Sequence, residues 1–454
     1  MVATTRTRKI DVIHTLLRAG DLRRLRKTLQ RLDDVQIAGQ LDNLDSEAQI
    51  RVLGVIPLRR RPDVLGAMRY EAAAKLVGAL APKEAAELLD ELEADDAVDI
   101  LGRLDEEQLS QILSRLDKED VDEIEELLAY DEHTAGGLMS PEYFSVSRDA
   151  TVADALAMIQ TAEEIPETAF YVYVVDPAGT LVGVCSLRML VTGRPNQKIS
   201  EIMLTDVQSV PADMDQEEVA ELVSRYDVVA VPVVGAHNQL VGIIDVDDVI
   251  DVIREEATED ILKFAGAGEE LADSRSFLSS LRARWRWLLA AAVGGMLVAM
   301  SLSNFHHALD TVPALALFMP VVAGMGGNVG MQSSTIVVRG LAVGFVESAR
   351  VQRLVVREVS LGAVLGLIYG TLIASTAPWV AADADPLRLG ITVALGTAGS
   401  TTIAALVGTC TPLILDRFDI DPAIATGPFV TTSVDVIGLL VYFLLATVLL
   451  GIGG

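Results

Sequence analysis

Two cysteines and five histidines in 454 residues leave little room for thiol or imidazole chemistry. Cys185 and Cys410 stand in opposite halves, so a structural disulfide is not expected and a reduced, cytosolic setting fits. No Cys/His cluster offers a zinc site. Positive charge is scarce too: 36 Lys and Arg stand against 64 Asp and Glu. A net charge of −28 argues against nucleic acid as a partner. The first residues, MVATTRTRKIDVIHTLLRAG, are basic but hold no apolar stretch of signal-peptide length. The N-terminal half is therefore expected to remain in the cytoplasm.

The charge that is present is unevenly placed. Residues 281–454 carry nine basic and nine acidic side chains, so the whole net charge lies in 1–280. An acidic soluble half thus precedes a neutral hydrophobic half, and at this length more than one domain is expected. Residues 6–70 show amphipathic helical patterns with a basic patch at Arg23, Arg24, Arg26 and Lys27. From Leu80 a period of 12 appears: Leu80, Leu92, Leu104 and Leu116, then Leu88, Ile100, Ile112 and Ile124. Each unit has room for one short helix and a turn, with Pro82, Asp95, Asp105 and Asp117 near the helix starts. Such units bury their apolar faces only by stacking, which predicts a small helical superhelix with an acidic exterior.

A second repeat follows. LMSPEYFSVSRDATVADAL at 138–156 is echoed by IMLTDVQSVPADMDQEEVA at 202–220, with Met139/Met203 and Asp149/Asp213 both 64 apart. YVYVVDPAGTLVGVCS (171–186) and VAVPVVGAHNQLVGIID (229–245) each read as strand, turn, strand. The two β-α-β-β-α units resemble a tandem CBS-domain pair, an α+β regulatory module that can bind adenine nucleotides. In nucleotide-binding CBS modules a hydroxyl follows the last strand, with an Asp three residues on. Here the first half has Ser186 with Met189, and the second has Asp245 with Asp248, so each departs at one position. ATP therefore stays open as a ligand, with Tyr171 and Arg188 as candidate contacts.

Residues 245–268 then form a two-faced helical pattern. Val249, Val252, Ala257, Ile261 and Phe264 make an apolar side, while Asp248, Asp251, Glu255, Glu256, Glu259 and Asp260 stack carboxylates at spacings of three and four. Like charges so spaced destabilise a helix by a few tenths of a kcal/mol per pair. Divalent cations with a preference for hard oxygen ligands, Mg²⁺ or Ca²⁺, would relieve that repulsion.

Five apolar spans follow at roughly 285–305, 313–338, 359–381, 388–415 and 424–451, each long enough for a bilayer. Arg282, Arg284 and Arg286 precede the first, Arg339, Arg350, Arg353 and Arg357 lie between the second and third, and Arg417 between the fourth and fifth. By the positive-inside rule the N-terminus is expected inside and the C-terminus outside. The fifth span holds Asp435. A carboxylate at membrane depth costs about 2.5–3.5 kcal/mol on insertion scales and usually faces a partner, an ion or water. One reading bonds it to Thr431, Thr432 or a neighbouring backbone; the other sets it in a cation pathway. The second span carries Pro320 and GMGGNVGMQSST at 324–335, whose glycines suit close helix packing or a locally opened backbone beside Asn328 and Gln332.

The motifs Gly-Gly-Asn-x-Gly-x-Gln (326–332), Arg-Gly-Leu-Ala (339–342), Asp-Pro-Ala (421–423), Gly-Pro (427–428) and Asp-x-x-Gly-Leu-Leu-x-Tyr (435–442) resemble the MgtE-type magnesium transporter/channel family. Ala-Gly-Gly-Leu-Met-Ser-Pro-Glu-Tyr (135–143) and Glu-Ala-Thr-Glu-Asp-Ile (256–261) match it in the same order. The resemblance implies a homodimer in the cell membrane that conducts Mg²⁺ rather than an enzyme. Asp435, Asn328, Gly427 and Pro428 would lie at the pore. Asp95, Asp227, Asp248, Asp251, Glu256, Glu259, Asp260 and Asp421 would sense cytosolic Mg²⁺. The expected domains are a basic segment (1–34), a helical N-domain (35–135), CBS units at 136–200 and 201–253, a connecting plug helix (246–275) and a five-helix transmembrane domain (281–454). Two rivals remain: a membrane-anchored CBS sensor, and a carrier of other divalent ions such as Co²⁺ or Mn²⁺. An intramembrane enzyme lacks a Ser/His pair, a His-Glu metal motif or a second membrane Asp at active-site spacing.

Overall fold

The computed structural model describes residues 13, 15–17, 19–162, 170–264, 277–342, 351–380, 385–418, 420–425 and 427–452; within these, the side chains of residues 119, 279, 283, 425 and 428 are not described. Positions 1–12, Arg350 and the last part of the expected plug helix, 265–275, lie outside them. The chain divides into two compact units, Met1–Ile253 and Arg254–Gly454.

In the first unit the period of 12 is older in the chain than the apolar pattern indicated. Helices α1 (Leu22–Leu29), α2 (Asp34–Leu41) and α3 (Ser46–Leu53) already start 12 apart. A 3-10 turn (Leu58–Arg60) leads into α4 (Arg61–Gly66), and α5 (Tyr70–Val77), α6 (Pro82–Leu89), α7 (Ala94–Leu101), α8 (Glu106–Leu113) and α9 (Lys118–Leu127) continue in step. Each helix is about two turns, too short to stand alone. Asp21, Asp33, Asp45 and Asp105 cap their helices by accepting a backbone N–H three residues on. Helices two apart in sequence pack together (α3 on α5, α5 on α7, α6 on α8, α7 on α9). That is how a two-turn unit buries its face. Asp95 lies near a helix start as expected, as the second residue of α7, and Glu93 occupies the cap position.

Beyond α10 (Ala135–Leu138) come two matching three-stranded sheets. The first joins β1 (Phe144–Ser147), β2 (Tyr171–Val175) and β3 (Leu181–Ser186), with α11 (Val152–Thr161) in the crossover and α12 (Leu187–Thr192) after it. The second joins β4 (Val210–Pro211), β5 (Ala230–Val234) and β6 (Leu240–Asp245), with α13 (Gln216–Tyr226) crossing over. In both the first pair is parallel and the second antiparallel, with a bulge at the same place. The halves clasp each other. Ser140 exchanges backbone bonds with Ile243 (2.8 and 2.9 Å), and Leu204 does so with Val184 (2.9 Å each). Gly183 and Gly242 make room for this: a Cβ on either would stand 2.7–2.8 Å from the sulfur of Met203 or Met139. The 64-residue echo of those methionines is thus a spatial two-fold. Helix α14 (Val246–Phe264) follows β6 directly.

The second unit contains α15 (Phe277–Leu302), α16 (His306–Thr311), α17 (Ala314–Ala342), α18 (Val351–Ala374), α19 (Ala377–Val380), α20 (Pro386–Asp416) and α21 (Pro428–Leu450). Five spans meet the length and hydropathy of membrane helices: Ser280–Thr311, Ala314–Ala342, Val351–Ala374, Pro386–Asp416 and Phe429–Leu450. Helix α20 is central, packed on α17, α18 and α21. The glycine stretch of α17 stays helical beyond Pro320, so its backbone is not opened, and Gly326 and Gly330 serve close packing against α20 and α21. A Cβ on Gly408 would stand 2.1 Å from the carbonyl oxygen of Gly330. The break comes later, between α20 and α21, where a 3-10 turn (Pro422–Ala425) precedes Gly427. At φ 66°, ψ −131°, Gly427 occupies a conformation that side chains avoid.

Candidate cation sites

In the second unit, a cavity of about 590 Å³ is lined by Phe264, Ala291, Gly295, Val298, Met331, Gly427, Thr431, Thr432 and Asp435. Asp435 sits two turns into α21 and is half-buried. The Thr431 hydroxyl donates to the Gly427 carbonyl (2.5 Å), so it does not serve Asp435. Among the described residues no donor or cation is bonded to the Asp435 carboxylate. A carboxyl group therefore lines a cavity in an otherwise apolar span, together with Gly427 of the helix break. Gly427 shares this cavity; Pro428 opens α21 one residue later. Asn328 does not line it: it lies on the exposed side of α17 in the single chain.

Phe264, the last residue of α14, belongs to the same cavity wall. The sequence assigned it only to the apolar side of its helix. One residue earlier, the Lys263 ammonium binds Glu259 and lies 2.6 Å from Asp421 Oδ2. Asp421 is itself fixed by accepting from the Ala423 backbone through Oδ1 (2.7 Å). Burial and then the Asp421 charge raise the Asp260 carboxyl above the usual range, with Glu256 and Glu259 adding to the effect. Four of the eight expected sensing residues, Glu256, Glu259, Asp260 and Asp421, thus act on one another here. Lys263 was missed because the helix was read for its carboxylates.

A second acidic cluster lies in the first unit. Asp95 Oδ1 is buried without a hydrogen-bond partner among the described residues. Burial raises its carboxyl well above the ordinary range, and the Asp248 charge is the next cause. Asp248 is pushed up to about 8 by burial and then by Asp247, Asp245, Asp96 and Asp99. Asp96 is raised to about 6, again mainly by burial, although the Tyr70 hydroxyl donates to it at 3.2 Å. Its carboxylate rests against the backbone of Gly66, where a Cβ would come within 2.6 Å of Oδ2. The local cation, Arg103, is committed to Asp99 (Oδ1 3.4 Å) and lies over the Tyr70 ring. The donor set is hard oxygen short of positive charge, which fits Mg²⁺ or Ca²⁺. Among the described residues no three His, Cys, Asp or Glu side chains converge into a closed metal cage, so an ion here would keep part of its water shell. Asp227 is in left-handed conformation at the end of α13, and Asp251 lies on the exposed side of α14.

Of the candidate nucleotide contacts, Tyr171 pairs with Ser186 across β2 and β3, and Arg188 is exposed on α12. The Ser186 hydroxyl caps α12 by accepting from Met189 N (3.3 Å). A further carboxyl escaped notice in the sequence: Glu358 of α18 is 4% exposed and accepts from Ser333 at 3.3 Å.

Comparison with known proteins matches the MgtE family, described as divalent cation transporters, over residues 319–445. The MgtE intracellular N domain matches 32–133, and CBS domains match 135–194 and 199–255. The magnesium transporter MgtE of Thermus thermophilus is 41% identical over 330 residues, 72% of either chain. That of Bacillus subtilis is 39% identical over 325 residues, 71% of either chain. Among solved structures, the soluble part of a magnesium transporter is 32% identical with a TM-score of 0.48, over 56% of this chain and 99% of that one. The cytosolic domain of the Mg²⁺ channel MgtE in complex with ATP is 36% identical with a TM-score of 0.38, over 50% and 98%.

Proposed function

The chain belongs to the MgtE family of magnesium transporters, a multi-pass membrane family, and from that premise we propose that it is an Mg²⁺-selective channel closed by Mg²⁺ on its cytosolic side. The observation that carries this reading is the Asp435 carboxylate, half-buried in a membrane span and facing a cavity beside Gly427. A structural Asp would be bonded to its neighbours, and Thr431 is bonded elsewhere.

Mg²⁺ demands octahedral oxygen at about 2.0–2.1 Å and gives up water reluctantly. Two Asp435 side chains, one from each subunit of a homodimer, would draw a hydrated ion through its waters. Binding through water is weak enough to let the ion leave, which conduction requires. Asn328, on the exposed side of α17, would join the pore only in such a dimer. By the arginine distribution the N-terminus would lie inside and the C-terminus outside.

Regulation would come from the two acidic clusters. Mg²⁺ can favour the closed state only by binding it more tightly than the open one. At both Asp95–Asp248 and Glu259–Asp260–Asp421 the ion would bind the closed state more tightly, because each gathers carboxylates whose ionised forms repel one another in the packed helix. Helix α14 is common to both, and its last described side chain, Phe264, lines the Asp435 cavity, where a plug would sit. Asp227 and Asp251 would contribute at lower affinity from the exposed surface. We take the expected domain boundaries as the units of this mechanism. An adenine nucleotide would meet Tyr171 and Arg188, with the Ser186 hydroxyl already engaged in a helix cap.

The test is Mg²⁺ uptake by vesicles carrying the full chain, with internal Mg²⁺ varied. Wild-type flux should fall as internal Mg²⁺ rises, and Asp435→Ala should abolish flux. Unchanged flux in Asp435→Ala would refute the pore assignment; flux indifferent to internal Mg²⁺ would refute the gating. Competition by Co²⁺ or Mn²⁺ at equal concentration would show a general divalent carrier.

A further inference from the structure

The end of α14 is held by a cation that belongs to the protein. Lys263 is only 14% exposed, and its ammonium is shared between Glu259, one turn back, and Asp421 across the gap to the fifth span. Asp260 lies in the same field, its carboxyl raised by burial and by Asp421. Asp421 cannot swing away freely, since its other oxygen accepts from Ala423 at the head of the 3-10 turn. That turn leads into Gly427 and α21. Two carboxylates, Glu259 and Asp421, therefore hold one ammonium between α14 and the turn that leads into α21, with Asp260 in the same field.

We infer that Lys263 is a tethered cation that docks α14 when divalent ions are scarce, and that it exchanges with Mg²⁺ for the carboxylates of Glu259, Asp260 and Asp421. The inference rests on the reading that α14 closes the pore. Among the described contacts one ammonium stands against two carboxylates, so a divalent ion that displaces it compensates more charge. The ammonium, however, is present at an effective concentration that does not depend on the cell, because five residues or fewer separate it from its partners on α14. It gives a basal closure on which Mg²⁺ then builds. Phe264 follows immediately, so whatever holds Lys263 also holds the residue that walls the Asp435 cavity. In this arrangement Lys263 positions the plug and makes no contact with the transported ion.

The experiment compares wild type, Lys263→Met and Lys263→Arg as full chains in detergent, reading hydrogen–deuterium exchange over residues 256–264. Met keeps the stem and removes the charge; Arg keeps the charge. In Mg²⁺-free buffer, Lys263→Met should exchange about tenfold faster or more, the scale of losing a hydrogen bond to a charged group. Saturating Mg²⁺ should return it to the wild-type rate, and Lys263→Arg should behave as wild type throughout. In vesicles the same loss should appear as raised flux at zero internal Mg²⁺ with full closure at high Mg²⁺. Unchanged Mg²⁺-free exchange in Lys263→Met would overturn the tethered cation. Failure of Mg²⁺ to restore protection would overturn the exchange with Mg²⁺, leaving Lys263 a plain structural contact. The exchange measurement does not need a conducting pore. Altered protection without altered flux would therefore spare the latch and strike the pore-closing role of α14.

Discussion

The Asp95–Asp248 cluster sets a definite pH dependence on the metal-free protein. Asp248 is held at about 8 and Asp96 at about 6, against an ordinary 3.8 for both. Raised carboxyls mean that the packed state binds protons which the separated or unfolded state has already lost. Packing is therefore most stable below about pH 4, weakens as pH climbs, and has lost the whole contribution above about 8. Each factor of ten in proton affinity is worth about 1.4 kcal/mol. Asp248 alone would cost on the order of 2–5 kcal/mol at pH 8 once salt screening is allowed for. The assay is hydrogen exchange over residues 94–101 and 246–253 of the full chain in EDTA, from pH 5.5 to 8.5, corrected for the intrinsic pH dependence of exchange. Protection should fall by one to three orders of magnitude across that range. Millimolar Mg²⁺ at pH 8 should restore it by supplying the missing positive charge and releasing protons. Asp248→Asn should flatten the slope and blunt the Mg²⁺ response together. A flat metal-free profile, or an Asp248→Asn slope equal to wild type, would refute the electrostatic account of this cluster.

Two backbone positions in the membrane unit yield further expectations. Gly408→Ala should lower the melting temperature of the purified chain, at a cost of about 1–3 kcal/mol, because its Cβ would meet the Gly330 carbonyl rather than a yielding side chain. Gly327→Ala is the control, since its Cβ would find only Thr431 Cγ2 at an ordinary 3.6 Å. Gly427→Ala should cost about 1–3 kcal/mol from its backbone conformation alone. It should also reduce Mg²⁺ flux in vesicles, because it moves the helix start that presents Asp435; unaltered flux would show that the break does not aim the carboxylate.

What could be seen in the chain beforehand divides along the line between repetition and convergence. The 64-residue echo and the spans were legible because each repeats a physical requirement: a β-α-β-β order in one case, bilayer length in the other. The period of 12 was legible only from Leu80, where the apolar positions line up. In α1 to α3 the period survives in Asp21, Asp33 and Asp45, whose spacing as helix caps was the available signal. Asp95 was legible as a residue near a helix start, but not as a buried one: it is the second residue of its helix, and its Oδ1 is buried without a partner among the described residues. The glycines of α17 were ambiguous for a sound reason: glycine weakens a helix by about 1 kcal/mol, and only the partner surface says whether packing offsets that. With Gly408 against the Gly330 carbonyl and Ser400 near Gly326, it does.

Convergence is what a single chain hides. Residues 95 and 248, or 263 and 421, are joined by nothing in spacing or composition, and only folding brings each pair to one point. The two clusters then differ in a way that residue types alone do not express. At Asp95 and Asp248 the local arginine is already committed to Asp99, and the carboxylates respond by holding protons. At Glu259, Asp260 and Asp421 the chain provides its own ammonium. On the proposed regulation, a divalent ion would displace protons at the first cluster and a lysine at the second. Alkaline pH should sharpen the response of the first through proton loss, whereas Lys263 keeps its charge there and continues to compete at the second. Titrating Mg²⁺ at pH 6 and pH 8 while reading exchange over 94–101 and 256–264 separates the two. Affinity at the first cluster should rise about tenfold or more between those pH values, and affinity at the second should rise less. Equal shifts at both would mean that the clusters bind as one site, and the division of labour along α14 would have to be abandoned.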